Sequence, residues 1–277
     1  MSQRAAGEGN APAAPGRELL ARVVSAVALA LIALVGALFG GWAAATVIAI
    51  VLAIVHLEWA NVTDHSPWPT AVFTAGLVIA IAMFTMGLHV GGLTIVALAI
   101  LAAAATWDVW RPLGVLYASL LGFGLLALRL SPDAGLAAVL FVLAVVTATD
   151  TGAFFVGRRI GGAKLWPRVS PNKTWAGAIG GLVAGVIAGF VALALLGMPV
   201  SPPLAAIAVV LSIAAEAGDL FESFVKRQFG AKDSGRLLPG HGGLMDRVDG
   251  LAVAAGLAAM IGWFHAGADI GRGLLAW

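Results

Sequence analysis

The chain has 277 residues, 61% hydrophobic and only 11% charged, with a formal charge of +2, a mean hydropathy of +0.99 and no cysteine. This composition excludes a water-soluble domain with a polar skin, and the absence of cysteine excludes disulfides and thiolate metal centres. Any metal must be held by oxygen or imidazole ligands, which points to magnesium-like chemistry.

Residues 1–16, rich in Ala, Gly and Pro, read as a disordered cytoplasmic tail. Arg17 and Arg22 then introduce an apolar run over 23–39. Hydrophobic sequence resumes directly after it, so it reads as an uncleaved span and not as a signal peptide. A second run, 41–57, ends at a polar loop, 58–69, that contains Asp64 and His65. Further runs cover 70–88, 93–105, 112–130, 134–156, 175–196, 203–225 and 251–265. Because about 20 apolar residues cross a bilayer as a helix, these amount to about nine transmembrane helices. The expected fold class is all-α: a polytopic membrane protein with one transmembrane domain over 17–277 and its catalytic part at about 147–250.

The cations test this topology. With the N-terminus cytoplasmic and the C-terminus outside, Arg4, Arg17, Arg22, Arg111, Arg158, Arg159, Lys164, Arg168, Lys173, Lys226, Arg227, Lys232, Arg236 and Arg247 fall inside. Only Arg129 and Arg272 fall outside, as the positive-inside rule requires. Small residues recur at every fourth position in two late runs: Gly177, Gly181, Gly185 and Gly189, then Gly250, Ala254, Ala258 and Gly262. Such stripes permit close helix contact, within one chain or between two.

Two polar clusters interrupt the apolar sequence. The first begins with Thr149 and Asp150 and continues through Arg158, Arg159 and Lys164 to Ser170, Pro171, Asn172, Lys173, Thr174 and Trp175. A lysine and two hydroxyls just before a helix suit a triphosphate, since the helix amino terminus adds partial positive charge. The alternative is an ordinary basic loop touching anionic lipid.

The second cluster, residues 218–250, reads GDLFESFVKRQFGAKDSGRLLPGHGGLMDRVDG. Asp219, Glu222, Asp233, Asp246 and Asp249 alternate there with Lys226, Arg227, Lys232, Arg236 and Arg247. Glu216, Asp219 and Glu222 follow one another at three-residue steps and share roughly one helix face. They lie inside the apolar run, where bare charge is expensive and usually functional. Asp246 and Asp249, also three apart, open the ninth span. Carboxylates from two neighbouring helices can converge on one or two cations. Pairing with Arg227 or Arg247 is the structural alternative. The PGHGG segment brings Gly242 and Gly243 where backbone amides can approach a phosphate, with His241 as a phosphate ligand or acid. The segment from Gly157 lacks P-loop spacing, and no nucleic-acid partner is expected.

In order and spacing, Ser223, Lys226, Arg227, Lys232, Asp233, Gly235, Pro239, His241, Gly242, Gly243, Asp246, Arg247 and Asp249 resemble the signature of the phosphatidate cytidylyltransferases, or CDP-diacylglycerol synthases. Gly218, Asp219, Leu220 and Glu222 extend the match upstream, and SPNKTW from Ser170 is similar to a second family motif. That motif usually continues with Glu, where this chain has Ala176. Over the first half of the chain the similarity lies in hydropathy alone.

The resemblance implies reaction of CTP with phosphatidate to give CDP-diacylglycerol and pyrophosphate. It implies Mg2+ dependence, an active site on the cytoplasmic side of the inner membrane, and a homodimer in the lipid bilayer. On this reading Asp219, Asp246 and Asp249 are catalytic with Lys226 and Arg227. The same three acids, with Glu222 and Asp150, are the expected ligands of one or two metal ions. Substrate phosphates and lipid fall to Lys173, Thr174, Ser170, Asn172, Ser223, Lys232, Asp233, His241, Gly242, Gly243 and Arg247. Two other classes share part of the pattern. A CTP-dependent lipid kinase would release CDP in place of pyrophosphate, and a cation-coupled transporter would hold its acids nearer the bilayer midplane.

Overall fold

A computed structural model describes residues 34, 36, 38–235, 237 and 242–277. The expected tail, Arg236, Pro239 and His241 lie outside these residues. So does the 23–39 run, except for Leu34, Gly36, Leu38 and Phe39, which are helical.

The helices follow in chain order: α1 Gly41–Val62, α2 Pro67–Thr85, α3 His89–Ala104, α4 Trp110–Arg129 and α5 Gly135–Ile160. After a short hairpin come α6 Trp175–Leu195, α7 Pro202–Gln228, α8 Met245–Ala266 and the small α9 Ile270–Leu275. Among the described residues seven helices are long and apolar enough to cross a membrane, and α3 is a shorter apolar helix of 16 residues. This is the architecture lipid demands, because in hydrocarbon every backbone amide and carbonyl must be satisfied within its own helix. Pro67 and Pro202 each occupy a helix's first turn, where a missing N–H costs nothing.

The expected all-α chain carries one correction. Residues 157–174 are not simply a basic loop: α5 runs on to Ile160, and β1 Lys164–Trp166 pairs antiparallel with β2 Ser170–Thr174. Lys164 faces Thr174 and Trp166 faces Ser170 across the ladder. Two helix ends also differ from the hydropathy boundaries. α1 continues through Glu58 to Val62, and α8 begins at Met245, so that Asp246 and Asp249 lie within its first two turns.

The bundle has two apolar cores. One gathers α1 to α4 with Val225, Leu244, Met245 and Ala252. The other gathers α5, the end of α6 and residues Leu204 to Ala215 of α7, with Ala254 and Ala258 of α8. Between its contributions to the two, α7 carries Glu216, Asp219 and Glu222. The glycine stripe of α6 settles one open question, since it packs within the chain, against α5. A Cβ at Gly181 would stand 2.6 Å from the Thr149 carbonyl, and one at Gly177 2.8 Å from that of Ala153. In lipid such close backbone approach, and not water exclusion, holds helices together.

Candidate active site

The carboxyl ends of α1, α5 and α7 and the amino ends of α4, α6 and α8 meet at one end of the bundle, and the hairpin closes over them. Its anchor is the first turn of α6, where the Thr174 hydroxyl accepts the Gly177 amide at 3.0 Å. Thr174 is therefore an N-cap, buried and committed to the backbone. This capping fixes the next side chain back along the strand, and Lys173 Nζ lies 2.6 Å from Asp219 Oδ2. Ser223, one turn along α7, donates its hydroxyl to Asp219 Oδ1 at 3.4 Å. Ser170 and Asn172 lie on the same strand, half-buried and exposed respectively.

A second ion-pair group sits deeper. Lys226 Nζ is 2.6 Å from both Glu222 Oε2 and Asp246 Oδ1, joining α7 to α8. Glu222 is fully buried, and its Oε1 has no hydrogen-bond partner among the described residues. Asp246 also accepts the Ser234 amide on both oxygens, at 3.1 and 3.0 Å, and the Gly243 amide at 2.8 Å. Asp219 thus pairs with Lys173, and Glu222 and Asp246 pair with Lys226. Arg227 donates to the Ala231 carbonyl at 3.1 Å, and Arg247 is exposed on the first turn of α8. Lys232 and Asp233 are exposed on the connecting loop. Gly242 adopts φ +82°, a region that favours glycine, and so lets the Gly243 amide turn toward Asp246.

Asp249 belongs to a third grouping. Its Oδ1 accepts the Gly250 amide at 2.8 Å, and its backbone carbonyl accepts the Tyr117 hydroxyl at 3.1 Å. Tyr117, the chain's one tyrosine, is buried within electrostatic reach of Asp219, Glu222, Asp246 and Asp249 together. Asp150 of α5, exposed at its surface, and Asp219 both repel Asp249. Three mutually repelling carboxylates are a donor set that suits a hard divalent cation in kind. Among the described residues no three acidic or imidazole side chains lie close enough to share one ion.

One residue of this end escaped the sequence reading, which placed it in a polar loop. Glu58 is 6% exposed and lies inside α1. It accepts the amides of Leu244 at 3.0 Å and Met245 at 2.7 Å, and the Ser234 hydroxyl at 3.1 Å. The neighbouring Trp59 donates to the Trp110 carbonyl at 2.9 Å and packs its ring against Tyr117 and Phe221. The signal was available. Glu58 is an acid attached directly to an apolar run, the same argument that singled out Asp219.

This arrangement defines a charge-rich polar site at one end of a bundle of apolar, membrane-length helices. The chain belongs to the cytidylyltransferase family, whose model matches residues 20–265. Among its relatives, the phosphatidate cytidylyltransferase of Brucella suis biovar 1 (strain 1330) is 45% identical over 192 residues, covering 68% of this chain and 69% of the relative. That of Staphylococcus saprophyticus is 46% identical over 129 residues, 46% of this chain and 50% of the relative.

Proposed function

We propose that this chain transfers the cytidylyl group of CTP to phosphatidate, giving CDP-diacylglycerol and pyrophosphate in phospholipid synthesis. The observation that carries the reading is the gathering of Asp150, Asp219 and Asp249 at one end of the bundle, with Lys173 paired to Asp219, in a chain of the cytidylyltransferase family. An oxygen of the lipid phosphate attacks the α-phosphorus of CTP. The bond to the oxygen that bridges the α- and β-phosphorus breaks, and pyrophosphate leaves. The attacking oxygen is already an anion, so no base has to take a proton from it. Positioning and charge compensation carry the rate, as in other phosphoryl transfers.

Lys173 is the cation best placed to exchange its carboxylate partner for a substrate phosphate, being half-exposed at the edge of the hairpin. Ser170, Asn172, Ser223, Arg227, Lys232, Asp233 and Arg247 border the same space in this reading. Gly242 and Gly243 keep the backbone close to it. Lys226 holds Glu222 and Asp246 together and so fixes the loop. Asp150, Asp219 and Asp249, with Asp246 and Glu222 beside them, would hold one or two Mg2+ ions. Bound there, Mg2+ would offset the repulsion between two anionic substrates and the charge on the leaving pyrophosphate.

The site end is cytoplasmic, in a multi-pass protein of the cell's inner membrane, with nine crossings and the C-terminus outside. Chain direction supports the count. α2 leaves the site end and α4 begins at it, so α3 has to return across the bilayer although its 16 residues span only about 24 Å. In this reading the catalytic part covers about 147–250. The enzyme works as a homodimer. The outer row of α6, Ile179, Val183, Ile187 and Val191, is exposed at every fourth position and offers a face for a second copy.

The test is incubation of purified protein with phosphatidate, Mg2+ and each of the four nucleoside triphosphates. Lipid-linked cytidylate with release of pyrophosphate is the expected product. Release of CDP, or no lipid-linked nucleotide from any of the four, would refute the assignment.

A further inference from the structure

The first turn of α8 carries Asp246, and one turn on lies Asp249, yet this helix has no cap of its own. Leu244, at the N-cap position, has helical dihedrals and no oxygen to offer the amides that follow it. Two amides at this end, those of Leu244 and Met245, are satisfied from the far side of the sequence. The Glu58 carboxylate takes the Leu244 amide on Oε1 and the Met245 amide on Oε2. Its charge also suits the positive end of the α8 dipole.

The fit around it is close. A Cβ at Gly235 would stand 2.8 Å from Oε1, and one at Gly243 2.6 Å from Oε2, so both glycines are places where the loop presses directly on this carboxylate. Among the described residues Glu58 has no cation within ion-pair distance, and three hydrogen-bond donors hold it instead. A buried carboxylate without a counter-ion is expensive, and the donors must be well placed to keep it. Ser234 makes the connection to the chemistry. Its hydroxyl goes to Glu58, while its amide goes to Asp246, which in turn pairs with Lys226. Glu58 from α1 and Asp246 from α8 thus both hold Ser234, and between them they hold the amides of Gly243, Leu244 and Met245.

We infer that Glu58 is a positioning residue of the transfer site, the side chain through which the amino-terminal helices set the register of α8's first turn and the loop before it. The inference rests on the cytidylyl-transfer reading above. It gives the amino-terminal half a part in catalysis without placing any of its side chains on substrate. An amide at position 58 would fill the same space. It would offer one oxygen and one NH2 group to three donors, so at least one donor would lose its partner and the loop would loosen while the bundle stayed intact.

The test compares wild type, Glu58→Gln, Ser234→Ala and the double variant in detergent, reading kcat and KM for CTP, thermal stability and backbone amide exchange over 233–245. The expected result is a fall in kcat of tenfold or more in Glu58→Gln with KM changed less than threefold. Exchange should be faster in that loop but not in α5 or α6. Ser234→Ala should lose less, and the double variant should be no worse than Glu58→Gln alone, because both act through one contact. A kcat of Glu58→Gln within twofold of wild type, or losses that multiply in the double variant, would overturn the inference. If Glu58→Gln does not fold, Ser234→Ala alone must still show a kcat-selective loss with faster loop exchange, and its absence refutes the proposal. Should the wild type fail to make CDP-diacylglycerol, the functional reading falls. The exchange comparison still decides whether Glu58 holds the loop.

Discussion

Lys226 lies between two carboxylates of different helices, and at residue scale this explains why so much charge survives so deep in an apolar bundle. Glu222 has no exposed surface and Lys226 is 9% exposed, so each depends on the other for its charge. Removing one member of a buried pair costs about 3–5 kcal/mol, because the other is left uncompensated. Lys226→Met is therefore expected to lower the thermal midpoint in detergent markedly and to abolish activity, whereas Glu222→Gln should be milder in stability. Equal midpoints for Lys226→Met and wild type would contradict this placement. Much at this scale was legible beforehand. Acids inside an apolar run are costly enough to mark themselves, as Asp219 and Glu222 do, while Asp246 and Asp249 stand out by their three-residue spacing at the opening of a span. Which cation pairs with which acid was not legible. The Lys173–Asp219 contact joins residues 46 positions apart, through a hairpin too short to leave a periodic signal.

At the scale of elements, α5 and α6 make the most extensive helix pair in the chain, and the glycine row makes their approach possible. A side chain at Gly181 has backbone ahead of it, which cannot rotate away. Gly181→Leu should cost at least the 1–3 kcal/mol typical of overpacking, about that much or more. It should appear as loss of folded protein in size-exclusion profiles, and a normal profile would contradict the packing. The opposite half is strapped at the same end by a loop-to-loop contact. His65 Nε2 donates to Asp108 Oδ2 at 2.5 Å, while Thr63 Oγ1 lies 2.9 Å from the other ring nitrogen. Partial burial works against the charge of Asp108, but the His65 contact and the Trp110 amide outweigh it and hold the carboxyl below its ordinary value of 3.8. A depressed carboxyl contributes stability above its unfolded value and loses it as pH falls through the folded one. The thermal midpoint should thus drop on acidification below about pH 4. Asp108→Asn should lower the midpoint at neutral pH and flatten that drop. An unchanged acid limb in the variant would refute the strap's contribution. Helix existence was legible from apolar run length, but helix ends were not. α1 outlasts its apolar run because Glu58 finds its partners in α8, information that lies some 186 residues away.

For the whole molecule, the proposed orientation rests on where the cations sit. Arg111, Arg158, Arg159, Lys164, Arg168, Lys173, Lys226, Arg227 and Lys232 share the end that carries the acids. Arg129 and Arg272 lie toward the other. The chain contains no cysteine, so single cysteines can report sidedness without background. Arg168→Cys should react with an impermeant thiol reagent only after the cytoplasmic face is opened, and Asp133→Cys should react in intact cells. The reverse pattern would invert the topology. The segregation of charge was readable from sequence because it is a one-dimensional property of loops. The two-core arrangement was not, since it depends on which helices exchange neighbours midway through the bilayer.

The chain joins a lipid phosphate to the α-phosphorus of CTP. The most direct measurement uses purified protein, phosphatidate and CTP labelled either at the α- or at the γ-phosphate, run in parallel with Asp219→Asn. Label from the α-position should enter the lipid and label from the γ-position should leave as pyrophosphate. The variant, folded as wild type, should be slower by roughly 100-fold or more. Gamma label in the lipid, or an Asp219→Asn variant with near-normal turnover, would contradict the account.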